Sequence, residues 1–291
     1  MKISLVILNY NDWKSVVSLL SVIEDYSCID KIVIVDNFST DNSFDELKKR
    51  IGKKCVLLSS NRNGGYSYGN NIGIKYLMSD CKPDIIFIVN PDVCFKEELL
   101  LNIISCFRNN DKYAVLTGVM HNSSNLPMRM SLKIPNYISV ILSCCFIGRK
   151  INQFLVSNKV DYTKDIMEVE TVPGSFWGIR STILKEVGFL DENVFLFYEE
   201  NILGVKLMKL GYKEGILTKY SYLHNHSVSI KKNLNIIKGH QIYLESMYYF
   251  ENTYRKLNKI QNLFLKIMMR YSLWEMTVLV YVREVIRRCI K

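Results

Sequence analysis

The chain has 291 residues, 48% hydrophobic and 23% charged, with a net charge of +10. That balance builds a sizeable core and excludes a disordered or low-complexity chain. The length suits one large α/β domain, alone or with an appendage. The charge is uneven. From Thr253 to Lys291, nine Lys/Arg face only Glu275 and Glu284, an excess of +7 that leaves +3 for the other 252 residues. A basic tail implies an anionic partner, either nucleic acid or an anionic membrane surface. The eight cysteines contain no C-x-x-C pair, so neither a zinc ribbon nor a thioredoxin-like site is supported, and free thiols in a reducing cytoplasm are expected. The apolar run around Leu5–Leu8 is too short for a signal peptide, and no small-residue cleavage site follows. No uncharged apolar run reaches the roughly 18 residues that span a bilayer. The nearest, Ile134–Gly148, contains Pro135 and Asn136 and reads as a buried or interfacial segment.

In chain order, Lys2–Leu8 reads as a strand and Trp13–Tyr26 as a helix with Asp12 at its N-cap. Lys31–Val35 is a second strand, Ser43–Arg50 a short helix and Cys55–Leu58 a third strand. Tyr68–Ser79 forms a helix after a glycine-rich loop. Asp84–Val89 is a fourth strand and Glu97–Phe107 a helix. Strands that alternate with helices, and are continuously apolar, predict a mainly parallel, doubly wound, Rossmann-like sheet.

Ligands of such sheets bind outside the carboxyl ends of the strands. Asn9-Tyr10-Asn11, Asp36-Asn37, Asn61–Gly65 and Asn90-Pro91-Asp92 each follow a predicted strand, so four polar clusters gather on one edge. The run Ile32–Val35 drives straight into Asp36. A lone Asp at a strand end is usually a helix cap; four clusters together point to a ligand. The loop Asn61–Gly73 (NRNGGYSYGNNIG) contains Gly64, Gly65 and Asn70 and permits close backbone approach to a ribose or diphosphate. It has neither the G-x-G-x-x-G fingerprint nor a P-loop lysine. Pro91 stiffens its turn, so Asn90 and Asp92 can face one ligand. A carboxylate there can hold a divalent ion whose shell a diphosphate completes.

Together VILNYN, IVDNFSTDNS, the N-x-G-G loop and VNPDV, in this order and spacing, resemble the inverting GT-A glycosyltransferases of family 2. The N-P-D form is similar to that of rhamnosyltransferases. The resemblance covers roughly residues 1 to 230. Val172–Lys213 resembles the acceptor-side segment of that family: a small and aromatic patch with Gly174 and Trp177, then an acidic pair, Glu199-Glu200, opening a helix. The usual pair is Glu-Asp, and Ile202 stands where a further Asp is common. The resemblance implies that Asp36 reads the nucleobase with Asn9 or Tyr10 beside it, that Asn90 faces the ribose, and that Asp92 holds Mg²⁺ or Mn²⁺. Either glutamate could reach an acceptor hydroxyl; Glu200 is taken as the general base, with Glu199 orienting the acceptor. In TKYSYLHNHSVSI, His224 and His226 share a strand face. His224, five before Ser229, matches the family histidine that binds metal or diphosphate.

Ile260, Phe264, Ile267, Tyr271, Trp274, Val278, Tyr281 and Val285 form a heptad stripe, flanked by Arg270, Arg283, Arg287, Arg288 and Lys291. Two uses fit it: packing on the catalytic domain or on a second subunit, and an interfacial membrane helix. The expectation is therefore a GT-A domain over residues 1–235 and a basic helical extension over 236–291. The enzyme would be peripheral at the cytoplasmic face of the membrane, would take a dTDP-rhamnose or UDP-sugar donor and a lipid-linked glycan acceptor, and would form a homodimer if the stripe pairs. A sugar-1-phosphate nucleotidyltransferase is the rival enzyme, although its glycine-rich triphosphate loop is replaced here by Asn9-Tyr10-Asn11. Nucleic-acid binding is the rival from another class; the acidic, amide-rich clusters disfavour it.

Overall fold

The structure is a computed structural model that describes residues 1–128, 130–224 and 235–289. In chain order its elements are β1 (Ile3–Asn9), α1 (Trp13–Ile23), β2 (Lys31–Asp36), α2 (Ser43–Lys48), β3 (Cys55–Ser59), α3 (Gly65–Asp80), β4 (Ile85–Val89), β5 (Val93–Cys94) and α4 (Glu97–Asn109). They continue with β6 (Tyr113–His121), β7 (Met130–Ser131), α5 (Tyr137–Ser143), α6 (Phe146–Val156), β8 (Ser157–Asn158), β9 (Ile166–Val169), β10 (Phe176–Arg180), α7 (Ser181–Glu186), α8 (Glu199–Lys209) and β11 (Lys213–His224). Last come α9 (Ile236–Phe250), a π-helical turn (Glu251–Arg255) and α10 (Lys259–Cys289).

The main sheet runs β3-β2-β1-β4-β10-β6-β11-β5, with β9 beside β11. The strands β3, β2, β1 and β4 are parallel, as their alternation with helices implies. Helices cover both faces, which is why β2 and β4 are apolar at successive positions and buried at nearly all of them. Helix α1 buries Val16, Leu19, Leu20 and Ile23, one stripe of a 3.6-residue period. The second half of the sheet is mixed: β10 lies antiparallel between β4 and β6, and β11 runs parallel to β6.

Helix α3 starts at Gly65, three residues before the expected Tyr68, so much of the glycine-rich stretch is helix rather than loop. Gly69 explains part of that composition. A Cβ there would sit 2.3 Å from Leu8 Cδ1, so the glycine lets α3 press onto β1.

A second apolar cluster lies beside the sheet core. Val140 and Cys144 meet Val194, Tyr198 and Ile202, together with Leu244, Met247, Phe250 and Leu265 from the C-terminal helices. The C-terminal helices therefore pack on the start of α8. The segment Ile134–Gly148 supplies α5 and the start of α6, with Val140 and Cys144 buried but Ile138 and Ile147 exposed. On α10 the edge that packs carries Leu265 and Ser272, held by a 2.8 Å hydrogen bond between Ser272 Oγ and His240 Nε2 and by the Arg149–Glu275 ion pair. The heptad stripe faces away from the body, with Ile260 80%, Trp274 62% and Tyr281 67% exposed. Among the described residues no helix is long and apolar enough to cross a membrane.

Candidate active site

The carboxyl edge of β1 and β2 is a closed polar network. Asn9 Nδ2 donates to Asp36 Oδ1 at 2.7 Å, and the Ser39 hydroxyl and amide donate to Asp36 Oδ1 and Oδ2 at 2.6 and 3.1 Å. A carboxylate offers about four acceptor positions. Three are filled from within the chain, so Asp36 is fixed in place with one position left on Oδ2. Tyr10 is half-buried beside this edge. Asn37, Ser60 and Asn63 extend the network: Asn37 Nδ2 donates to Asn63 Oδ1 at 3.0 Å and to the Gly65 carbonyl at 3.1 Å, and Ser60 Oγ donates to Asn37 Oδ1 at 3.3 Å.

Gly64 stands at the N-cap of α3 and Gly65 follows with φ +88°. A Cβ on Gly65 would lie 2.0 Å from the Phe195 carbonyl oxygen, so only glycine fits. Asn61 is exposed and accepts from the Tyr68 hydroxyl at 2.6 Å. Asn70 is buried, donates to the Tyr66 carbonyl at 3.0 Å, and keeps its Oδ1 buried without a hydrogen-bond partner.

At the end of β4, Asn90 N donates to the Ser175 carbonyl at 2.9 Å. Two residues on, Asp92 Oδ1 lies 3.3 Å from His224 Nε2, both side chains largely buried. The pairing of β5 with β11 sets His224 opposite Val93 and so delivers the histidine to Asp92. His226 and Ser229 lie outside the described residues.

Ser175 continues into the patch around Gly174. The Gly174 carbonyl accepts from the Tyr66 hydroxyl at 2.6 Å, and a Cβ on Gly174 would meet Trp177 Cζ2 at 3.5 Å and Glu200 Oε2 at 3.8 Å. Gly174, Tyr66 and Glu200 are thus neighbours, tied through Ser175 and Asn90 to Asp92 and His224. Trp177 lies behind this patch. It is 0% exposed on β10, its ring edge-on to Tyr66 at 6.1 Å, so it supports the patch from beneath.

Helix α8 opens at Phe197 and Tyr198, both left-handed at φ 72° and 70°. Consecutive non-glycine residues there cost of order 1–3 kcal/mol each and persist only where surrounding structure enforces them. The turn places Glu199 and Glu200 in the first turn of α8. Burial pushes the Glu199 carboxyl up to about 8, and the neighbouring Glu200 charge adds to the rise. Burial also raises Glu200, against smaller lowering contributions from its own backbone N–H and from Glu199. The two carboxyls sit side by side in a buried position and titrate as a pair. Glu214 on β11 lies close by: its Oε2 accepts from Val172 N at 2.9 Å, and burial holds its carboxyl well above the usual range.

Residues 4–188, more than half of the chain, match the profile of Glycosyl transferase family 2. The chain belongs to this family. Over 261 residues it is 23% identical to the Low-salt glycan biosynthesis hexosyltransferase Agl10 of Haloferax volcanii, covering 89% of this chain and 76% of that protein. Its fold is similar to the mannosyltransferase PcManGT from Pyrobaculum calidifontis, solved with GDP-Man and Mn²⁺ (TM-score 0.59, 12% identity, 98% of this chain and 75% of that one). It is also similar to S. aureus TarS 1-349 in complex with UDP-GlcNAc (TM-score 0.58, 14% identity, 93% and 72%).

For this family 2 member, the residues that sequence reasoning missed are the supports: Ser39, Tyr66 and Glu214. Glu214, between Lys213 and Gly215 at the start of β11, carried no local signal of its burial. Among the described residues no three His, Cys, Asp or Glu side chains cluster as a metal site. The Asp92–His224 pair still fits a divalent ion. Two protein donors suffice where diphosphate oxygens and water supply the others.

Proposed function

We propose that this chain is an inverting hexosyltransferase that moves a sugar from a nucleoside diphosphate, dTDP-rhamnose or a UDP-sugar, to a hydroxyl of a lipid-linked surface glycan. The observation that carries the reading is the run of contacts from the Asp92–His224 pair through Asn90, Ser175 and Gly174 to Glu200. In this reading the Asp92–His224 pair would face the metal and diphosphate, and Glu200 would supply the base on the same sheet edge.

In this reading Asp36 accepts a base N–H at its remaining position, and Asn9 keeps its carboxylate aimed. Tyr10 lies beside the base, while Asn61, Gly64 and Gly65 border the ribose and diphosphate with Asn90. Asp92 and His224 would hold Mg²⁺ or Mn²⁺. When bound, the ion stabilises charge on the departing diphosphate. The Glu200 carboxylate takes the proton of the acceptor hydroxyl as its oxygen bonds to the anomeric carbon. The bond from that carbon to the phosphate oxygen breaks in line, and its electron pair leaves with the nucleoside diphosphate. Glu199, beside it in the first turn of α8, orients the acceptor.

The exposed stripe of α10, with Arg270, Arg283 and Arg287 beside it, suits an anionic lipid surface. That would hold the enzyme at the cytoplasmic face of the membrane, next to a lipid-carried acceptor. A symmetric pairing of two stripes is the second use the same face allows.

The test is release of nucleoside diphosphate from a panel of UDP-, dTDP- and GDP-sugars, with and without a polyprenyl-linked glycan. Release from one or two donors, raised by the acceptor and by Mg²⁺ or Mn²⁺, is expected. No release from any donor would defeat the reading.

A further inference from the structure

The loop between α7 and α8 is anchored from two sides. On the donor side, Asn71 Nδ2 donates to the Leu190 carbonyl at 2.9 Å and to Glu192 Oε1 at 2.7 Å, and Tyr66 N donates to the Phe195 carbonyl at 2.8 Å. On the other side stand the C-terminal helices. The Tyr249 and Tyr254 hydroxyls both donate to Asp191 Oδ2, at 2.9 and 2.5 Å, and Ser246 Oγ donates to the Leu196 carbonyl at 2.8 Å. Asp191 Oδ1 is taken by Asn193. Immediately after these anchors come the left-handed Phe197 and Tyr198, and the Tyr198 ring packs on Tyr243 and Phe250 of α9 at 5.6 and 5.3 Å. The acid pair follows at once.

Tyr254 reaches Asp191 from the π-helical turn, which ends at Lys256 in a left-handed conformation. Such turns are rare and cluster at functional sites. Glu251 is fully buried there and paired to Arg255 at 2.8 Å, and Arg255 also donates to the Pro135 carbonyl.

We propose that Tyr249 and Tyr254 are positioning residues for Glu200: by clamping Asp191 they hold the loop in the strained path that delivers the base to the donor edge. The extension is then part of the catalytic unit and not only its attachment to a surface. The proposal rests on the glycosyl-transfer reading for its kinetic consequence.

The experiment uses the full chain. Y249F/Y254F keeps both rings and removes both donors to Asp191. Its transfer rate at saturating donor should fall about ten- to a hundredfold, the cost of a base displaced by a fraction of an ångström to 1 Å. UDP and dTDP affinity by calorimetry should be unchanged, because Asn71 and Tyr66 still hold the donor side. Amide exchange should quicken over residues 195–202 and not in α3. Y248F is the control, since its hydroxyl bonds to Asn262 at 3.1 Å within the extension; its rate should match wild type. An unchanged rate and unchanged exchange in Y249F/Y254F would overturn the proposal, as would an equal loss in Y248F or a parallel loss of UDP affinity. A wild-type chain that turns over no nucleotide sugar defeats the proposed function instead. In that case the exchange at 195–202 still decides whether the tyrosines hold the loop.

Discussion

The Tyr66 hydroxyl donates to the Gly174 carbonyl at 2.6 Å, and that bond joins the helix opened by the glycine pair to the loop facing Glu200. Burial, and then the charges of Glu199 and Glu200, hold the phenol well above its ordinary pKa, so it stays a donor. Y66F leaves the carbonyl without its partner, which costs about 1–3 kcal/mol where no water replaces it. A lower Tm and a transfer rate reduced by about tenfold or more are predicted. A variant with wild-type Tm and rate would show the bond to be incidental.

Asp92 is the acid that faces His224. D92A should abolish stimulation by Mg²⁺ or Mn²⁺ while the far-ultraviolet circular dichroism stays native. Chelation of wild type should reproduce the variant's rate. If D92A responds to added metal as wild type does, the ion is held elsewhere.

The two glutamates should behave differently. E200Q keeps shape and loses basicity, a loss of about 10² to 10⁴ in rate, with donor affinity retained. E199Q leaves the Glu200 carboxylate in place and should stay measurably active; the reverse ranking would reassign the base. Glu199 also predicts a pH dependence of stability. Its folded pKa, about 8, lies above the ordinary 4.5, so the folded state binds more protons between those values. That stabilising contribution is complete below 4.5 and is lost as pH rises through about 8. Denaturant titrations across this window should show wild type losing stability with pH more steeply than E199Q.

On α10 the basic residues can be changed without touching the packed edge. R283E/R287E should reduce sedimentation with phosphatidylglycerol vesicles at low salt, since each Lys/Arg near such a surface contributes roughly 1 kcal/mol. High salt should do the same to wild type. A full chain that stays in the supernatant at low salt would rule out the lipid reading, and light scattering would then be expected to report a dimer.

The parallel half of the sheet was legible because strands buried on both faces are written as unbroken runs such as Ile32–Val35. The carboxyl-edge clusters were legible for the same reason, polar residues standing where those runs stop. The antiparallel β10 was not, because Phe176–Arg180 is short and its pairing with β4 is set by tertiary packing. Helix α3 began early because Gly65, a poor helix former by propensity, is required there by the approach of Phe195. Trp177 was placed at the site by its motif, and β10 turns it inward. The stripe on α10 has the right period, yet the face that packs is the one centred on Leu265 and Ser272. Periodicity finds a face and does not say what covers it. The clamp on Asp191 joins residues 58 and 63 apart in sequence, which no local pattern reports.

The dependence of Tyr198 on Leu244, Met247 and Phe250 has a consequence for the order of synthesis. The strands and turn that carry Asn9, Asp36 and Asp92 leave the ribosome long before α9 does. Domains form from the amino terminus as they emerge, so the nucleotide edge can close while Phe197 and Tyr198 still lack the shell that enforces their conformation. A nascent chain arrested with β11 just outside the exit tunnel should then retain UDP or dTDP on a filter and transfer no sugar. Transfer by such a chain would mean that α8 finds its path without the helices that follow.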